Sequence, residues 1–237
     1  MSADVSKTAV IAELFATPRK ERDDAWRAKF FDAIGTAAMT TTESQIMQGP
    51  DGFPYFVLAM PEPGKPFSPV CLADVLEHCT DSGVGMVVAP GEHGPEWVFT
   101  YGDLFSMRAY MTFEGDPADV EAARGPATEV LEKDTAVMVG TPNEEMLPPW
   151  ARGVLASFLA QVGEVKEPSV LVMVRPSESS ARNLVFNIHP EDFSSPDEFG
   201  RVLRRLQWFL PRGRSVIGLS RTSSLASSFA PLRGAPS

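Results

Sequence analysis

Histidine and cysteine are scarce in this chain: three histidines (His78, His93 and His189) and two cysteines (Cys71 and Cys79) among 237 residues. No histidine has a second His or a Cys three or four residues on, so no local pair of metal ligands exists. Cys71 and Cys79 are eight residues apart. On a helix that gap spans about 12 Å, beyond the roughly 7 Å between Cα atoms that a disulfide tolerates. Two free thiols fit a reducing compartment. No apolar run approaches the roughly 18 residues of a membrane span, and the N-terminus lacks the basic and apolar regions of a secretory leader. The expectation is a cytoplasmic protein without a membrane anchor. Gly83-Val84-Gly85 begins like a dinucleotide-binding fingerprint, but Val88 stands where the third glycine belongs. There is no G-x-S-x-G nucleophile elbow. No cofactor, metal ligand or catalytic residue is therefore assigned, and a binding protein is favoured over an enzyme.

Basic residues are also outnumbered. The 21 Lys and Arg face 31 Asp and Glu, for a net charge of -10. Such a chain is repelled by phosphate backbones, which excludes general nucleic-acid binding. The charge is uneven. Residues 1–35 balance, residues 36–199 carry -17, and residues 200–237 carry seven arginines and no acid.

What is present is a set of amphipathic patterns punctuated by 21 prolines. Val10, Ile11, Leu14 and Phe15 predict a helix over 4–16. Trp26, Phe30, Phe31 and Ile34 predict a second after Pro18. Strands are expected at 37–48 and 54–60, joined by the turn Gly49-Pro50-Asp51-Gly52. Ser68 and Pro69 read as N-cap and first residue of a helix ended by Gly83. Strands at 84–88 and 96–100 follow, then a helix capped by Thr100 and Asp103. After a polar stretch at 114–134, a strand is expected at 135–139 and a helix from Pro148-Pro149. Strands follow at 168–174 and 182–188. A helix with Ser195 at its N-cap, Pro196 and Glu198 comes next, and a last strand at 215–219.

The two halves repeat this order. Trp26 lies 124 residues before Trp150, Ser68-Pro69 lies 127 before Ser195-Pro196, and Val84–Val88 lies 131 before Ser215–Leu219. Drifting offsets are what loop insertions produce, and they point to a duplication. The expected class is α+β: tandem αββαβ halves whose antiparallel or mixed sheets are covered by helices on one face. The expected boundaries are an N-terminal domain at 1–113, a linker at 114–134, a related C-terminal domain at 135–221 and a disordered tail at 222–237.

Two residue sets are candidate binding sites. Trp97, Phe99 and Tyr101 alternate onto one face of a strand that runs into a helix N-terminus at Asp103, and Trp97, Tyr101 and Asp103 there suit an anion or peptide carboxylate. Arg201, Arg204 and Arg205 share one helix face and form a basic patch. His189, before Pro190 at a strand end, is the candidate edge of a pocket. Together with Tyr101 and Asp103 it carries the alternative reading of a small-molecule binder or enzyme with a loop-assembled site.

The tandem halves, with FFDAI at 30–34, LEHCTDSGVGMVV at 76–88 and the block from Trp150 to Leu219, resemble the bacterial SseB (enhanced serine sensitivity) proteins, which have two domains of this size and order. A second likeness is to type III secretion chaperones, small acidic α/β proteins that hold partner segments along a sheet or groove. Neither resemblance carries functional residues onto this chain. The expected activity is non-enzymatic protein binding, as an adaptor, chaperone or immunity-type protein, through an acidic surface. A protein partner is expected, homo-oligomerisation stays open, and nucleic acid and membrane are not expected partners.

Overall fold

In the computed structural model the described residues are 3–116, 119–120, 137–162, 165–174 and 182–233. The chain divides into two units, Met1–Leu104 and Phe105–Ser237. Among the described residues, six α-helices and two mixed sheets of four and five strands make the class α+β.

In the first unit, α1 (Val5–Phe15) begins where the Asp4 carboxylate accepts from the Ser6 N–H, and α2 (Asp24–Ile34) where Asp23 accepts from the Trp26 N–H. The hairpin β1 (Thr40–Gln48) and β2 (Pro54–Ala59) is antiparallel. A helix, α3 (Leu72–Ser82), then returns the chain so that β3 (Gly85–Val88) lies parallel to β2. β4 (Trp97–Phe99) closes the sheet antiparallel to β3, giving the order β1-β2-β3-β4. α4 (Tyr101–Tyr110) follows at once, its residues from Phe105 on belonging to the second unit. The core centres on Phe30, which is fully buried and meets the rings of Phe15, Trp26, Phe31, Trp97 and Phe99 within about 6 Å.

The second unit repeats the plan. α5 (Pro149–Gln161) precedes the hairpin β6 (Ser169–Val174) and β7 (Arg182–Phe186). α6 (Pro196–Gln207) then leads to β8 (Ser215–Ile217), parallel to β7. The hairpins differ in register: the first shifts between Thr41 and Ile46, whereas the second runs unbroken from the pair Val170 and Phe186 to the pair Val174 and Arg182. This unit adds two strands on the outer edge of β6. β5 (Met138–Gly140) covers Val172–Val174, and β9 (Ala230–Pro231) covers Ser169 and Val170.

Two sequence expectations change. Ser68-Pro69 does not start a helix. Val70 exchanges both backbone hydrogen bonds with Met39 at 2.9 Å, which holds that segment extended. The helix begins at Leu72 instead. There the Asp74 carboxylate accepts from the Cys71 N–H at 3.1 Å and from its S–H at 3.0 Å. Ser195 does cap its helix, accepting from the Glu198 N–H, so the two Ser-Pro pairs are not structurally equivalent. The Ser-rich stretch from 222 was expected to be disordered. Ser224–Ser228 instead forms a 3₁₀ turn, β9 pairs with β6, and Leu232 is buried with its N–H on the Pro168 carbonyl. Leu225 and Phe229 pack on Leu171, Met173 and Val185. Three apolar side chains spaced along a polar segment suffice to bind it to the sheet. Residues 234–237 lie outside the described residues.

Much of the expected linker, 117–118 and 121–134, also lies outside the described residues. Its beginning is tied into the second unit. Arg214 and Asp119 are both fully buried side chains, paired at 2.7 Å. Arg214 also donates to the Met146 carbonyl at 2.6 Å and the Tyr110 hydroxyl at 3.0 Å. Arg182 pairs with Asp116 at 2.6 Å and Asp119 at 2.9 Å. Burial opposes the charged form of Arg182, and the two carboxylates outweigh it, holding its pKa above the ordinary value. Burial pushes the Tyr110 phenol up, against the nearby Arg214.

The approach is close enough to require glycine. Gly213 has φ +81°, and a Cβ there would fall 2.7 Å from the Asp119 carbonyl. Gly213→Ala is expected to destabilise the second unit by about 2–4 kcal/mol, from left-handed backbone strain plus the clash. Amide exchange of β8 peptides would read this as faster exchange. Unchanged protection would mean that Asp119 is free to move away.

Candidate functional site

The residues singled out from sequence are placed as follows. Tyr101 is fully buried and its hydroxyl donates to the Thr80 carbonyl at 2.9 Å. Asp103 forms a capping box with Thr100: the carboxylate accepts from the Thr100 N–H at 2.9 Å, and the Thr100 hydroxyl accepts from the Asp103 N–H at 3.1 Å. Trp97 stands in the ring cluster around Phe30, and its indole N–H is buried with no hydrogen-bond partner among the described residues. The three are thus engaged in the core and the start of α4, and no open cleft joins them among the described residues. Arg201, Arg204 and Arg205 do lie exposed on α6, with the Arg205 guanidinium over the Phe158 ring.

His189 lines a groove of about 710 Å³ in the second unit, together with Lys166, Asn187, Asp192, Glu198 and Arg221. Its Nδ1 hydrogen-bonds the Leu219 carbonyl at 2.9 Å. A carbonyl only accepts, so Nδ1 carries the proton, and Nε2 is the acceptor of a neutral ring. The groove's charged groups are mostly spoken for. Asp192 pairs with Arg221, and Glu198 accepts from the Ser194 backbone and hydroxyl, which lowers its pKa. Among the described residues no group of three or more His, Cys, Asp or Glu could hold a metal ion. Cys79 is buried and its thiol is pushed up to about 12 by desolvation, so it is no nucleophile.

The feature that sequence periodicity did not bring out is the outer edge of β1. Gly49 donates to the Phe53 carbonyl and Ala89 to the Leu58 carbonyl. With the register Ile46 to Phe56, Met47 to Tyr55 and Gln48 to Pro54, these bonds fix the alternation. Met47 exchanges its bonds with β2, whereas the N–H and C=O of Ile46 and Gln48 point away from the sheet. Pro54, which has no N–H, sits opposite Gln48, where none is needed toward β1. At the other end the Met39–Val70 bridge closes the same edge. Past an irregularity between Thr41 and Ile46, residues 43–48 are exposed, Ile46 and Met47 by 44% and 40%. One signal was present in the sequence: no Lys or Arg occurs from residue 30 to 64, and so this edge lacks the lysines that commonly blunt such strands.

The charge is likewise divided. Met1–Leu104 carries 7 Lys and Arg against 15 Asp and Glu, net -8. Phe105–Ser237 carries 14 against 16, net -2. Four of the C-terminal arginines are engaged within the second unit: Arg205 on Phe158, Arg214 with Asp119, Arg221 with Asp192 and Arg233 on Ser157. Among the described residues no helix is long and apolar enough to cross a membrane. No family model, curated protein or solved structure matches the chain.

Proposed function

We propose that this protein is a non-enzymatic protein-binding module, an adaptor, chaperone or immunity-type protein, that holds a basic partner through its acidic N-terminal unit. The observation that supports the reading is the net charge of -8 on Met1–Leu104, much of it on exposed carboxylates. A surface of one sign steers an oppositely charged partner and selects against wrong ones. Binding takes place in a reducing compartment, the cytoplasm, where the two thiols stay free. The likeness to secretion chaperones, small acidic α/β proteins that hold partner segments, is in keeping with such a role.

Glu13, Glu43 and Glu92 are exposed. Their triple replacement by Lys moves the unit from -8 to -2 and leaves the core untouched. Tagged full-length protein, used to capture proteins from lysate of its source cells at low salt, is expected to retain one basic protein stoichiometrically. High salt should release it, and the triple variant should lose it. A partner retained equally by the triple variant, or no stoichiometric partner at all, would sink the reading.

A second reading rests on the His189 groove, which has the size of a small-molecule site. Thermal stabilisation by a small metabolite, abolished by His189→Ala, would favour it.

A further inference from the structure

We propose that the outer edge of β1 is the docking strand for the partner, which adds an extended basic segment antiparallel to Ile46–Gln48. This rests on the protein-binding reading above and specifies its contact surface.

Three observations carry it. First, the backbone groups of Ile46 and Gln48 point outward in a strand whose only sheet neighbour among the described residues is β2. Such a row of donors and acceptors is a template for strand addition. Second, the related unit shows what fills this edge. β6, like β1, is the first strand of its unit's hairpin, and its outer edge is occupied along Ser169–Val174 by β9 and β5, both antiparallel. In the first unit the only bridge to this edge among the described residues is that of Val70 to Met39, which stops short of residues 43–48. Third, charge selects the occupant. The edge lies in a stretch from residue 30 to 64 with no basic residue, with exposed Glu43 on the strand and Asp51 in its turn, on a unit of net -8; Asp32 and Glu62 of the same stretch are paired with Lys7 and Lys65. A second copy would bring the same negative charge to the same edge, whereas a Lys- or Arg-bearing strand would meet opposite charge. Ile46 on one face and Met47 on the other offer apolar contacts to alternate side chains of the added strand.

The strand alternation also supplies the test. Gln48→Pro removes an outward N–H while leaving the bonds between β1 and β2 intact, because Gln48 faces Pro54 in a pair that exchanges none. Gln48→Thr keeps the N–H and serves as control. A phage-displayed library of random 12-residue peptides is panned against the full chain, and the affinities of retained peptides are measured on all three proteins. The expected result is retained peptides that alternate Lys or Arg with apolar residues. They should bind Gln48→Pro at least about tenfold more weakly and Gln48→Thr as well as the parent, with amide exchange of β2 unchanged. Retained peptides that bind Gln48→Pro equally, or that are acidic, overturn the edge. So does a dimer of the parent that Gln48→Pro converts to monomer, since the occupant would then be a second copy. If no peptide is retained while a basic partner is still captured and lost on the triple Lys variant, the edge fails and the acidic-surface reading stands. If neither library nor capture yields a basic binder, both fail.

Discussion

Replacing Arg214 by Met is expected to destabilise the second unit by about 3–5 kcal/mol, because it strands a buried carboxylate. Asp119 has a fully buried side chain, and Arg214 gives it two of its hydrogen bonds, at 3.0 and 2.7 Å. Removal of the guanidinium also takes a donor from the Met146 carbonyl and from the Tyr110 hydroxyl, which keeps its own bond to the Glu145 carbonyl. Arg182 reaches Asp119 from the other side but is itself partly exposed and shared with Asp116. Arg214→Lys is not a conservative change here. A single ammonium cannot replace three nitrogens that point at three different partners. The readout is amide exchange of peptides from β7 and β8 in the full chain, since each 1.4 kcal/mol corresponds to tenfold faster exchange by global opening. The double variant Arg214→Met, Asp119→Leu is expected to recover part of the loss, because it removes the unpaired charge along with its partner. Wild-type protection in Arg214→Met would show that water or a rearranged Arg182 compensates Asp119.

Replacing Phe30 by Ala is expected to cost the first unit about 3–5 kcal/mol, the range for deleting a buried aromatic ring. Phe30 is fully buried and stacks on Trp26 at 5.2 Å and on Phe99 at 6.0 Å. It also meets Trp97 at 5.0 Å. It therefore joins α2 to β4, and a cavity there faces rings too rigid to collapse inward. The neighbouring Phe31 is half-buried and meets Trp97 edge-on at 5.7 Å. Phe31→Ala should cost markedly less, about 1–2 kcal/mol. Amide exchange of β3 and β4 peptides separates the two. Equal effects would mean that burial, and not the ring cluster, is a poor guide to this core.

The sites of these two predictions differ in how far they could be read from the chain. The Trp26, Phe30, Phe31 and Ile34 stripe announces a packed helix by spacing alone, and α2 buries Trp26, Phe30 and Ile34. Nothing in the spacing of Asp116, Asp119, Arg182 and Arg214 connects them. Arg214 and Asp119 are 95 residues apart, and ion pairs carry no periodicity. Candidate site residues show the same division. Asp103 was recognisable as a helix cap because capping is a three-residue interaction. That Tyr101 would spend its hydroxyl on the Thr80 carbonyl, 21 residues away, was not.

Local physical chemistry in the sequence was enough to determine the α+β class, the two hairpins, the Ser195 cap with Glu198 and the left-handed Gly83 that ends α3. Each depends on side chains within one turn or one strand of each other, where hydrogen bonding and burial follow directly from spacing. Tertiary structure decided the rest. It moved the start of α3 from Ser68 to Leu72 because Val70 is held by Met39, it drew Leu232 and the Ser-rich segment before it onto β6, it buried Arg214, and it left the outer edge of Ile46 and Gln48 open. Those outcomes depend on which distant backbone arrives to satisfy a donor, an acceptor or a charge, and a sheet edge is filled or left open by segments far away in the chain.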